Sequence, residues 1–132
     1  MEEGNVSVSI ESFAESHYIK SFKKKYKAHW DVTFSAIVAQ LERIDNLLLT
    51  TKAEYICEAG DAKIIKTEFR VAGSKESAKT SGNRCIVAWY ADKQQVSILL
   101  VYAKTDIPGH NETVQWKRIL KEAYPEFRNL LD

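Results

Sequence analysis

Apolar and polar residues alternate through Val6, Val8 and Ile10, the period of two that marks a short, half-buried strand. The period then changes. Ser12 followed by Glu15 has the spacing of a capping box and predicts the start of a helix. Tyr18, Phe22 and Tyr26 recur at four-residue steps with Ile19 alongside, so one apolar stripe runs along this helix. Lys23, Lys24 and Lys27 take up the rest of its circumference. Ala28-His29 is expected in a tight connection, with Asp31 as N-cap of a second helix. There Trp30, Phe34, Ile37, Val38, Leu41, Ile44 and Leu48 form one broad apolar face. Two helices so close in sequence are expected to pack as an antiparallel hairpin.

Beyond Thr50 the pattern turns to strands. Tyr55-Ile56-Cys57 reads either as a short strand or as an irregular link. Residues 64–71 alternate, with Ile65, Thr67, Phe69 and Val71 on one face and Ile64, Lys66, Glu68 and Arg70 on the other. A polar connector over 73–83 follows, and then two β-prone runs, 84–91 and 96–104, around an expected hairpin loop. Pro108-Gly109 breaks the chain. A final helix turns Trp116, Ile119, Leu120 and Ala123 inward and stops at Pro125. The order β-α-α-β-β-β-α predicts an α+β fold. It is a small antiparallel sheet, a meander of about four strands, with the N-terminal helical hairpin on one face and a short C-terminal helix. Residues 1–132 are read as one domain, with Phe22, Ile37, Leu41, Phe69, Val87 and Leu99 in its core. The opposite sheet face is expected to be open and to carry the function.

Composition fits a folded domain, with 45% hydrophobic and 28% charged residues and only 5 Gly and 2 Pro. Two cysteines are too few for a disulfide framework, and no apolar run approaches the ~20 residues that span a bilayer. The acidic start, Met1-Glu2-Glu3-Gly4, is unlike a basic targeting segment, so a soluble cytoplasmic protein without a membrane partner is expected. The net charge of +1 conceals segregation: residues 17–30 carry five lysines and no acid. Such a chain does not coat itself in positive charge, yet it can build a local basic site for phosphate.

Several chemistries lack their residues. His17, His29 and His110 are scattered, with no cysteine or carboxylate at metal-ligand spacing, and there is no nucleophile elbow or phosphate-cradling glycine loop. Cys57 and Cys85 read as small core residues. What remains is basic. Lys66 and Arg70 share one face of the 64–71 strand. A three-residue loop at 92–94 sets Ala91 opposite Gln95 and therefore Arg84 opposite Tyr102, with Lys104 one pleat further on the same side. A four-residue loop is expected to put Arg84 opposite Ala103 and dissolve the cluster. Solvated charge at the sheet ends is the competing reading of all these residues.

The run from Lys63 to Lys104 resembles the central segment of RelE-superfamily toxins, and within them the HigB-like branch of bacterial toxin–antitoxin systems. The matching pieces are a strand ending in Arg70-Val71, a basic loop of Gly, Ser and Lys, and Gly82-x-Arg84 opening an apolar strand. An Asp-Lys turn follows, then a strand ending Val101-Tyr102-Ala103-Lys104. The helical hairpin before this run and the helix after it also fit.

The resemblance implies an mRNA interferase that cuts translated message on the ribosome and so inhibits translation. The implied reaction uses neither metal nor cofactor: a ribose 2′-hydroxyl attacks the adjacent phosphate. Arg84 matches the family's phosphate-binding arginine, whose planar fork suits two oxygens. Arg70 matches the basic residue ending the preceding strand, and Lys104 the one ending the last strand, as proton donor or charge stabiliser. Tyr102 matches the tyrosine expected to stack on a base or relay a proton. Lys66, Lys75 and Lys79 are the implied RNA-binding residues. Glu68 lies between Lys66 and Arg70, where it can pair with them or oppose an RNA phosphate, and Tyr124 falls at the far end of the last helix. The implied partners are a cognate antitoxin, the ribosome and mRNA. Two other readings of the same fold are a ParE-like toxin that inhibits gyrase without cleaving RNA, and a catalytically reduced protein-interaction module.

Overall fold

The computed structural model describes residues 6–75, 77, 81–107 and 111–128, the side chains of Tyr18 and Lys104 excepted. Among these residues five strands form one sheet in the order β1-β5-β4-β3-β2. They are β1 (Ser7–Ile10), β2 (Ala53–Ala59), β3 (Ala62–Phe69), β4 (Asn83–Tyr90) and β5 (Gln95–Tyr102). β2 to β5 form the expected antiparallel meander. β1, the strand expected at the N-terminus, lies at the sheet edge and pairs parallel to β5, where an antiparallel sheet was expected; β2 is the fifth strand. The chain enters and leaves β1 through Ser7 N–H donating to Gln94 O at 3.0 Å and Glu11 N–H to Ile98 O at 3.1 Å. The ambiguous segment around Tyr55 is β2, an edge strand whose ladder to β3 is interrupted between Tyr55 and Cys57.

The helices differ from expectation at their ends. The first is broken into α1 (Ser12–Ser16) and α2 (Tyr18–Tyr26), and no side-chain cap bond forms at its start, so Ser12 is the first helical residue rather than a cap. The next helix, α3 (Ala28–Leu41), begins before Asp31, and the expected connection at Ala28-His29 shrinks to Lys27 alone, at φ 51°. Packing explains the early start. Trp30 stacks on Phe22 with ring centres 4.8 Å apart and meets the edge of Phe69 at 6.1 Å, which fixes the first turn of α3 against α2 and the sheet. A short α4 (Ile44–Leu47) completes the second apolar face.

Both sheet faces are covered, which corrects the expectation of an open face. Phe22, Trp30, Ile37, Leu41, Ile65, Phe69 and Val87 build one core beneath the N-terminal helices. A second core lies on the opposite face, where Trp116 and Leu120 of α5 (Glu112–Ala123) pack on Ile64, Ile86, Leu99 and Leu100. The reason is in β4 and β5, which are buried on nearly every residue and so need an apolar cover on both sides. All six residues expected in the core are buried.

Candidate functional site

The site is built on the row that crosses β3, β4 and β5 at one end of the sheet. Glu68 pairs with Arg84, and Arg84 with Tyr102. The last pairing is the expected one, reached by a different route. The hairpin loop has four residues, 91–94, with Tyr90 opposite Gln95 and Gln94 in the left-handed region at φ 51°. An unbroken ladder from there puts Arg84 opposite Val101. β5 instead bulges between Ile98 and Leu100, because Val87 pairs with Ile98 and Ile86 with Leu100. The extra residue, Leu99, restores Tyr102 to Arg84 and to the same face.

Arg84 is enclosed by acids. Its Nη2 lies 3.5 Å from Glu68 Oε2 and its Nε lies 3.9 Å from Glu112 Oε2. Nη1 donates to the carbonyl of Asn83 at 3.1 Å. The side chains of Arg84 and Glu68 are each 14% exposed and that of Glu112 is 34% exposed. Tyr102 is fully buried, and its hydroxyl donates a hydrogen bond to the Glu112 carboxylate. Burial, then this bond and the carboxylate's charge, push the phenol well above its ordinary value of 10, against a smaller opposing pull from Arg84. With its ring buried, Tyr102 offers no free face to a base, and its hydroxyl is engaged by Glu112.

Other expected residues lie apart from this row. Lys66 is on the same sheet face, but its Nζ lies 3.7 Å from Glu54 on β2. Arg70 is exposed just beyond β3, and its Nη1 donates to Ser74 O at 3.0 Å. It lines a groove of about 640 Å³ between α3 and the end of β3, together with Val32, Thr33, Lys52, Glu68 and Lys75. Glu68 therefore stands where the groove meets the Arg84 row, while Arg84 and Tyr102 are outside the groove lining. Lys79 and the side chain of Lys104 lie outside the described residues. Among the described residues, no three His, Cys, Asp or Glu side chains converge to hold a metal ion, and no helix is long and apolar enough to cross a membrane.

Glu112 is the site residue that the sequence did not reveal. An acid in the first turn of a helix is explained by the helix dipole alone, so nothing in its position points toward chemistry.

No protein-family signature matches the chain, and no curated protein matches it. Among solved structures, it is similar to the archaeal RelE–RelB complex from Pyrococcus horikoshii OT3, with a TM-score of 0.52 and 15% sequence identity. The match covers 76% of this chain and 96% of that chain. At that identity the likeness is one of architecture: the five-stranded sheet and its helices have the RelE-like α+β fold.

Proposed function

We propose that this chain is the toxin of a toxin–antitoxin module, a single HigB-like domain over residues 1–132. It acts in the cytoplasm as a metal-independent, ribosome-dependent endoribonuclease on mRNA. The observation that carries this reading is the placement of Arg84 directly across from Tyr102 on a RelE-like sheet. The neighbour was solved as a complex with RelB, which supports a cognate antitoxin as partner of this chain.

In this reading a 2′-hydroxyl gives up its proton to water as its oxygen bonds to the adjacent phosphorus, the bond from phosphorus to the 5′ oxygen breaks, and the 5′ oxygen takes up a proton. The pentavalent arrangement carries added negative charge. Arg84 meets that charge with a planar fork matched to two phosphate oxygens, and preorganised cations of this kind are often the largest single catalytic contribution. Tyr102 supplies a neutral hydroxyl donor at all ordinary pH values, because its phenol is held protonated. Arg70 and Lys75, at the groove beside Glu68, receive the flanking phosphates. Lys66, Lys79 and Lys104 complete the proposed RNA contacts.

One observation favours a second reading, the catalytically reduced interaction module. Arg84 faces two carboxylates and is 14% exposed, an arrangement that balances the cation's charge without any ligand. Expression without a partner, followed by primer extension on a translated message, separates the two. Growth arrest with new 5′ ends in translated message is expected, and arrest without new ends overturns the nuclease reading.

A further inference from the structure

Taking Arg84 as the phosphate anchor proposed above, we infer that Glu112 is a latch on it. The Glu112 carboxylate occupies the anion position beside Arg84, and a phosphodiester binds there only once that carboxylate has left.

Each nitrogen of the guanidinium already faces a protein oxygen. Nη1 donates to Asn83 O at 3.1 Å, Nη2 is 3.5 Å from Glu68, and Nε is 3.9 Å from Glu112. The three are not equal. Nε is buried and makes no hydrogen bond, so its contact with Glu112 is charge attraction across a gap. A phosphate oxygen at hydrogen-bond distance improves on it. A phosphodiester that entered with both carboxylates in place would set a third negative charge beside one cation, so one acid must go.

Glu112 is the acid free to leave. Glu68 lies within the β3 ladder, directly paired with Arg84, and its side chain is as enclosed as that of Arg84. Glu112 is the first residue of α5, follows Asn111 at φ 63°, and exposes 34% of its side chain. Its departure also frees the Tyr102 hydroxyl, which is bonded to this carboxylate. The exchange then balances: one carboxylate leaves, one phosphodiester enters, and both the guanidinium and the phenol keep an anionic acceptor.

The test uses the whole chain and a labelled all-2′-O-methyl RNA of about twelve nucleotides, which cannot be cleaved by 2′-hydroxyl attack. Fluorescence anisotropy gives its affinity for the parent, Glu112→Gln, Glu122→Gln, Arg84→Ala and the Glu112→Gln/Arg84→Ala pair. Glutamine still accepts the Tyr102 hydrogen bond, so the fold is kept, and unfolding midpoints of all five proteins check this. Glu112→Gln is expected to tighten binding by about tenfold, and Glu122→Gln, an exposed acid on the same helix, by less than about twofold. The gain is expected to vanish without Arg84. No gain in Glu112→Gln, an equal gain in Glu122→Gln, or a gain that persists in the Arg84→Ala background overturns the latch. If Arg84→Ala alone binds as tightly as the parent, the phosphate-anchor reading itself fails, a result distinct from failure of the latch.

Discussion

Arg84 and Tyr102 face each other across β4 and β5 only because Leu99 is an extra residue in β5. The four-residue loop misaligns the two strands by one position relative to this pairing, and the bulge removes the misalignment. Leu99 is buried in the core beneath α5, and its carbonyl accepts the Tyr124 hydroxyl at 2.7 Å, so the bulge is held from outside the ladder. Leu99→Ala is therefore expected to lower stability by about 2–4 kcal/mol, read from urea unfolding. A loss below about 0.5 kcal/mol would show that the bulge stands without its packing.

Tyr102 bears on stability through two separable parts. Tyr102→Phe keeps the ring and removes the hydroxyl that bonds Glu112, with an expected loss of about 1–2 kcal/mol, because the carboxylate is partly solvated. Tyr102→Ala also empties a fully buried site and should lose about 3–5 kcal/mol. Equal losses in the two variants would mean that the ring packing contributes little.

High pH should unfold the chain through its buried phenols. Burial and Glu112 raise the Tyr102 pKa above its ordinary value of 10, and burial with Glu11 and Glu126 does the same for Tyr124. Above about pH 10 the unfolded chain loses these protons while the folded chain keeps them. Stability then falls by about 1.4 kcal/mol per pH unit for each phenol until the folded form also titrates. Urea unfolding between pH 8 and pH 11 should show this decline. The buried Cys85 thiol, pushed up to about 12, adds a decline that begins about one pH unit earlier. The Tyr102→Phe/Tyr124→Phe pair should therefore lose only the part of the slope that sets in above about pH 10, and an unchanged slope there would place the titrating groups elsewhere.

The loop that carries Arg70 is fastened at Gly73. Gly73 has φ 84°, and a Cβ there would sit 3.2 Å from the His29 ring. Gly73→Ala should lower stability by about 1–2 kcal/mol, from the left-handed backbone and the close ring together. His29→Ala in the same chain should recover only the steric part. Full recovery would show that the backbone conformation itself is unstrained.

Much of this fold was legible because period two and period four report which residues are buried. The alternation in 64–71 placed Phe69 and Glu68 on opposite faces, and the stripe through Phe22 and Ile37 located the helical core. Periodicity says nothing of who the neighbour is, so β1 was read as a strand without its parallel partner β5. The buried face of the last helix was legible in Trp116 and Leu120, but not the sheet face it covers. That assignment follows from how completely β4 and β5 are buried, which a run of apolar residues shared by both faces does not reveal. Helix boundaries moved where an aromatic contact outweighed a cap, as Trp30 on Phe22 did over Asp31. At the site, Arg84 and Tyr102 were found by counting residues along two strands. Glu112 comes from a separate helix, and only three-dimensional packing brings it to them.

The most direct test of the central claim is single-turnover cleavage of message on programmed ribosomes by the parent chain and by Arg84→Ala. The account predicts cleavage by the parent, with a 2′,3′-cyclic phosphate on the upstream product, and a rate lower by roughly 10²–10³ in the variant. No cleavage by the parent, or equal rates for the two folded proteins, would contradict it.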